Sequence, residues 1–339
     1  MEGAVEPQSN IAVTVQLITL LFLSFALLMV YIRLADRWNI IDRPNERSSH
    51  ITPVIRGGGI IVPLIFLIAL LLFPGESVIL AIALFAVAAI SFMDDLGEIP
   101  TRIRIIVHLL AVTGLLWHLG LLAQAGWWLP LYYVLIIGWI NAFNFMDGIN
   151  GIAVLYALSV LTSIIAVYLL NVELNAAQEM PLILSVVAAL LAFGFFNIRK
   201  RARCFAGDVG SVPIAFLIAL FLLPLLLNEH WSYIGFLLLY GIDTVITILH
   251  RLIKRENIFE AHRSHLYQYL ANEMRWGHLK VSWTYFAIQS LISALIIITL
   301  QSGQSDAFVF WIIALPVLGF YLFSRWKVVI TINRKKQSV

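Results

Sequence analysis

Residues 203–251 read RCFAGDVGSVPIAFLIALFLLPLLLNEHWSYIGFLLLYGIDTVITILHR. Two apolar stretches, 211–228 and 231–249, lie between two arginines, and the turn joining them, Asn228-Glu-His230, holds no Lys or Arg. A membrane-crossing helix needs about 20 largely apolar residues. Two crossings return a chain to the side it left, so Arg203 and Arg251 share one face. The same arithmetic holds along the rest of the chain. Its 22 Lys and Arg residues fall in five segments, 33–56, 102–104, 199–203, 251–280 and 325–336. The gaps between them contain two, four, two and two apolar stretches. Every basic cluster is therefore expected on one face, which the positive-inside rule makes cytoplasmic.

Reading outward from that pair, the spans are expected at 11–32, 58–74, 77–94, 105–122, 127–143, 151–170, 181–197, 211–228, 231–249, 281–300 and 307–324. The expected fold is an all-α polytopic membrane protein of about eleven transmembrane helices, N-terminus outside and C-terminus cytoplasmic. Composition agrees: 61% of residues are hydrophobic and 12% charged, against about 45–50% and about 25% in soluble domains. Mean hydropathy is +0.93. The outer loops Pro74–Ser77, Leu122–Gly126, Asn171–Met180, Asn228–His230 and Gln301–Asp306 lack Lys and Arg. Residues 1–339 read as one integral-membrane domain with a longer cytoplasmic loop at 250–280. The first apolar stretch, Ile11–Ile32, follows Glu2 and Glu6 rather than a basic leader, and is expected to be retained as a span. The net charge of +3 is spread over loops at one face. It suits membrane lipid headgroups or phosphorylated substrates and gives no reason to expect nucleic acid. The single cysteine, Cys204, excludes an internal disulfide and a multi-cysteine metal site.

Chemistry-bearing residues concentrate at the same face. Asp94 and Asp95 close the third span, where the negative end of a helix disfavours carboxylates. Bound Mg²⁺, or Arg102 and Arg104, would offset that, and a polar stop after an apolar helix is the plainer reading. Asn141, Asn144, Asp147 and Asn150 recur at intervals of three. A continuous helix would place them along one side. Asp147-Gly and Asn150-Gly instead indicate a turn or broken helix. Such backbone near a membrane must be buried or line a wet cavity. Asn and Asp oxygens without basic neighbours suit a hard cation or a nucleobase edge. Phe205-Ala-Gly-Asp208-Val-Gly-Ser211 opens the eighth span, where free helix N–H groups are expected to meet phosphate and Asp208 to supply a metal carboxylate or a cap. Arg199–Arg203 reads as a topogenic cluster. His262-Arg263-Ser264-His265 can bind phosphate or transfer protons. Asp243, inside the ninth span, is expected to face the bundle interior, with Thr244 as a hydrogen-bond partner or packing residue. Gly57-Gly-Gly59 resembles a phosphate-cradling entry, and Lys335 and Lys336 read as orientation or lipid contacts.

In order and spacing these motifs resemble the polyprenyl-phosphate N-acetylhexosamine-1-phosphate transferases of glycosyltransferase family 4, which include the phospho-N-acetylmuramoyl-pentapeptide transferases. The similarity runs from about residue 45 to 270, and the eleven-span count resembles the O-antigen-initiating branch. The resemblance implies transfer of sugar-1-phosphate from a UDP-N-acetylhexosamine to undecaprenyl phosphate with release of UMP. It further implies a bacterial inner-membrane location, a cytoplasmic active site, Mg²⁺ with Mn²⁺ as an alternative, and a homodimer as one assembly. By motif, Asp208 and Asn144 match metal-side residues, while Asn141, Asn144, Asp147, Asn150, Arg102 and Arg263 match substrate-side ones. Asp94, Asp95, His262 and His265 match catalytic positions, the Asp pair near the lipid phosphate. Two features depart from the commoner pattern: Asn150 in place of Asp, and His-Arg-Ser-His in place of a run of histidines. Both resemble the subgroup using 6-deoxy-N-acetylhexosamines such as N-acetylfucosamine or N-acetylquinovosamine.

Two rivals make different demands. A proton-coupled transporter needs acids near the bilayer midplane and inverted repeats, whereas most acids here fall at one face and no repeat is seen. A non-catalytic scaffold would tolerate loss of Asp94, Asp95 and Asp208.

Overall fold

The computed structural model describes residues 10–44, 49–50, 52–73, 77–97, 99–171, 176–257 and 263–337. Eleven longer helices appear, one for each expected span: α1 (Asn10–Arg37), α2 (Ile61–Leu72), α3 (Val78–Leu96), α4 (Thr101–His118), α5 (Leu129–Met146) and α6 (Ile152–Leu170), then α7 (Ala176–Asn197), α8 (Asp208–Asn228), α9 (Leu238–Ile253), α10 (His278–Gln301) and α11 (Asp306–Gln337). Among the described residues, nine helices are long and apolar enough to cross a membrane. The chain is thus an all-α polytopic membrane protein, with two departures from the expected eleven. The helix Gly58–Leu72 is too short; at about 1.5 Å per residue it measures roughly 22 Å, against a hydrocarbon core of about 30 Å. The other is α4, which opens on Arg102 and Arg104 and ends on His118, and so falls short in apolarity.

The helices wrap around α8, the most enclosed span, with 83% of its apolar window buried. Helix α6 packs against it and is 72% buried; α7, packed on α1, α2 and α6, is 67% buried, while α1 and α11, at 17%, form the rim. A helix that is apolar on every side belongs at such a centre. The lipid-facing residues include Ile82, Phe85, Leu110 and Trp311, all more than half exposed.

The two ends differ in chemistry. At one end Asn171 Nδ2 donates to Glu229 at 2.9 Å, and Asp306 accepts from Ser232 N at 2.9 Å and meets His230 Nδ1 at 3.1 Å. At the other end the basic loops are sewn together. Strands β1 (Ile41–Asp42) and β2 (Val54–Ile55) pair antiparallel, Ile41 opposite Ile55, and Ile55 bridges in parallel to Cys204.

Gly57-Gly-Gly59 works at this seam. Gly58 N–H donates to Phe205 C=O at 2.8 Å and Gly59 N–H to Ala206 C=O at 3.1 Å. A Cβ on Gly59 would lie 2.5 Å from the Gly210 Cα, and one on Gly210 would lie 2.6 Å from the Gly59 Cα. The glycines let two helix entries touch backbone to backbone. The phosphate-cradle expectation is corrected on this point, because the N–H groups of Gly58 and Gly59 are already donated within the protein.

Candidate functional site

Asp94 and Asp95 occupy the last turn of α3, where the helix dipole opposes them, and each has found an arginine. Asp94 pairs with Arg104 and accepts the Ile99 N–H at 3.0 Å. Asp95 turns inward until its carboxylate is fully buried, 2.7 Å from Arg56 Nε. It also accepts the Asp208 and Val209 N–H groups at 3.0 Å each. Asp95 therefore caps α8 from another helix, a role its own segment does not advertise. This corrects the expectation that the α8 entry offers those N–H groups to phosphate. Gly207, at φ +69°, makes the approach feasible, since a side chain there would strike the Asp95 carboxylate. Arg102, expected to contact substrate, is exposed and outside the pocket lining; Arg104 supplies the nearby cation instead, with its Nη1 3.8 Å from Asp208 Oδ2.

The Asn141–Gly151 stretch is divided by its glycines. Helix α5 ends at Met146, and α6 begins at Ile152 after Gly151 at φ +84°. Of the four polar residues, Asn141 stays on the helix and donates back to Ile137 C=O at 2.9 Å, away from the pocket. Asn144 reaches the pocket, and its Oδ1 accepts the Ser211 hydroxyl at 2.8 Å. Asp147 caps the end of α5 and lines the pocket. Asn150 also lines it, but its Nδ2 donates to the carbonyls of Arg199 at 2.9 Å and Lys200 at 3.3 Å. Gly148 faces Tyr267 so closely that a Cβ would collide with the phenol, whose hydroxyl donates to Phe145 C=O at 3.0 Å.

His262 lies outside the described residues. His265 is buried away from the pocket, its Nδ1 3.1 Å from Asp243 Oδ1. Asp243 also accepts from Tyr285 at 2.7 Å, Tyr321 at 3.0 Å, the Leu266 N–H at 3.1 Å and Thr247 at 3.4 Å. Asp243 is thus an interior anchor for the loop after α9; Thr247, one turn on, is its hydroxyl partner rather than Thr244. Arg263 is half-buried and does not line the pocket. From this segment the pocket receives Gln268 and, at the start of α10, His278.

Together these segments enclose a pocket of about 200 Å³ at the basic end of the bundle. Asp147, Asp208 and Asn144 form its carboxylate corner; His50 and His278 form a second corner, with Arg56 lining the pocket as well. Burial, followed by the negative charges of Asp208 and Asp95, pushes the Asp147 carboxyl from 3.8 up to about 7. Asp147 thus feels the charge of Asp208, and two carboxylates lining one pocket suit a cation. Among the described residues no group of three Asp, Glu, His or Cys could close on a metal unaided. Mg²⁺ asks for fewer, since it binds through one or two carboxylates and keeps water and phosphate oxygens for the rest. The donor set fits Mg²⁺ on those terms.

His50, Arg56, Phe205, Gln268 and His278 line the pocket without being expected there from the sequence. Arg56 closes the first basic segment, 33–56, and Phe205 opens the Phe205–Ser211 motif. For His50, Gln268 and His278 no spacing gives a signal, because they meet only through the fold.

Comparison with known proteins agrees with the motif reading. Residues 77–225 match the family described as Glycosyl transferase family 4. The chain is 29% identical over 169 residues to a phospho-N-acetylmuramoyl-pentapeptide-transferase of Lactococcus lactis subsp. cremoris (strain SK11), covering 47% of this chain and 50% of that protein. It is 34% identical over 140 residues to the like-named protein of Streptococcus equi subsp. zooepidemicus (strain MGCS10565), covering 41% and 38%. Over 285 residues it is 26% identical to the probable undecaprenyl-phosphate N-acetylglucosaminyl 1-phosphate transferase of Bacillus subtilis (strain 168), covering 77% and 76%. The chain spans half or less of the length of the first two of these relatives.

Proposed function

We propose that this chain, which matches glycosyl transferase family 4 over residues 77–225, transfers an N-acetylhexosamine-1-phosphate from a UDP-sugar to undecaprenyl phosphate at the cytoplasmic face of a bacterial inner membrane. The observation that supports it most is the meeting of Asp147 and Asp208, from two different span ends, in one pocket at the basic end of an apolar bundle. A polyprenyl acceptor stays in the bilayer and a nucleotide stays in water, so a reaction joining them belongs at such a boundary.

In this reading an acceptor phosphate oxygen attacks the sugar-bearing phosphorus in line. The new P–O bond forms as the bond to the nucleoside-bearing phosphate breaks, and UMP leaves with the electron pair. The acceptor oxygen is already anionic, so positioning and charge stabilisation carry most of the rate. Asp147 and Asp208, with Asn144, would hold Mg²⁺, which when bound neutralises diphosphate charge. Asp95 acts as a positioning residue: buried between Arg56 and the α8 backbone, it sets where Asp208 stands. Asp94 does the same for Arg104.

Asn150 gives no support to a 6-deoxy donor, since its amide is spent on the Arg199 and Lys200 carbonyls. That finer assignment rests on the His-Arg-Ser-His sequence, and a role in O-antigen assembly on that sequence and the eleven-span count. The test is UMP release by purified protein with undecaprenyl phosphate and Mg²⁺, across the UDP derivatives of GlcNAc, GalNAc, FucNAc and QuiNAc. Turnover with one or more donors, reduced at least about 100-fold by Asp208→Asn, is expected, a loss of about 2.7 kcal/mol in transition-state stabilisation. No turnover with any donor would remove the reading.

A further inference from the structure

We propose that His50 and His278, with Arg56 beside them, bind a phosphate group of a reactant. The inference rests on the transferase reading and adds to it the residues that receive the anion. His50 belongs to the first basic loop and His278, 228 positions later, begins α10. The fold joins them in one lining, with Ser49, the residue before His50, placed there as well. The His50 ring stands edge-on to Phe205, centroids 4.9 Å apart, which fixes its position in the lining.

One atom in this corner is unsatisfied. His50 Nε2 is buried without a hydrogen-bond partner, and the side chain is only 13% exposed. Its nearest carboxylate oxygen, Asp42 Oδ2, is 3.9 Å away, too far for a hydrogen bond. A buried polar atom left unpaired costs about 1–3 kcal/mol, and native proteins keep few of them. An imidazole that faces a cavity beside a second imidazole and a guanidinium offers donors to an anion. Arg56 ties this corner to the other: its Nε is held by Asp95, and it feels the charges of both Asp208 and Asp42. The pocket thus divides its work, the carboxylates taking a cation and the histidines an anionic oxygen.

Two reactants carry such an oxygen, the nucleotide and the lipid phosphate. Purified full-length protein in detergent, wild type and with His50→Gln or His278→Gln, would be titrated with UMP, uridine and undecaprenyl phosphate. A charge-assisted hydrogen bond is worth about 1.5–3 kcal/mol, or roughly 10- to 150-fold in affinity. If the group is the nucleotide's, UMP affinity falls at least about tenfold while uridine affinity holds; if it is the lipid's, undecaprenyl phosphate affinity falls instead. Equal losses of UMP and uridine, or no loss of either phosphate in both variants, overturn this inference while leaving the transferase reading in place. Wild-type protein that binds neither phosphate would remove both. Matching melting temperatures exclude misfolding as the cause.

Discussion

Asp147 stands near pH 7 because it is buried beside like charges, and that has a measurable sign. Its carboxyl is raised above the unfolded value of 3.8, so the folded protein holds the proton more tightly. The resulting stability is full below about pH 4 and is lost as pH rises through about 7. Melting temperature in metal-free detergent should fall between pH 5 and 8 by an amount that Asp147→Asn removes. Mg²⁺ added at pH 8 should restore it in wild type and much less in the variant. Asn150 provides a second test at this scale. Asn150→Asp removes two donors and sets a carboxylate against the Arg199 and Lys200 carbonyls. A stability loss of at least about 1–3 kcal/mol is expected at neutral pH, read by thermal denaturation, with donor preference unchanged.

Two contacts between elements depend on glycines. Gly59→Ala places a methyl against the Gly210 backbone, which has no flexible end to yield. Overpacking of this kind costs about 1–3 kcal/mol; thermal melting should show it, and activity should fall with the displaced α8 entry. Gly148→Ala meets a side chain instead, the Tyr267 phenol. Activity lost in Gly148→Ala should be partly recovered by adding Tyr267→Phe, which deletes the colliding hydroxyl. Two single losses that simply add would show that the contact is not the cause. The helices themselves were legible because hydrophobicity over twenty residues is a local property. The Asp147-Gly and Asn150-Gly break was legible for the same reason. The Asp95 cap was not, since its N–H partners lie 113 and 114 residues away and nothing near Asp95 hints at them. His265 misled in the opposite sense: its motif suggested the pocket, but the buried Asp243 draws it inward.

For the whole molecule, the five basic segments and the paired apolar gaps predict one cytoplasmic end. Cys204 makes this testable without a cysteine-free background, because it is fully buried and burial pushes its thiol up to about 12. In intact cells, Gln304→Cys on the outer loop should react with a membrane-impermeant maleimide. Lys200→Cys should react only after the membrane is opened. Reversed labelling would place the pocket on the opposite side and remove its access to cytoplasmic nucleotide. The enclosed position of α8 explains why composition alone reveals the class but not the pocket. The site is made by where loops converge around that helix, and convergence is not written in any single segment.

The Asp95 cap also sets an order of events during synthesis. When α3 enters the membrane, Arg56 has already been made, but Asp208 is still 113 residues from being translated. Arg56 can hold the carboxylate through that interval, so the charge need not wait alone in an apolar setting. Only when α8 arrives can its first amides close on Asp95, and the same step brings Asp208 to Asp147. Until then the ribosome-bound chain has no finished pocket, and Asp147 lacks its carboxylate neighbour.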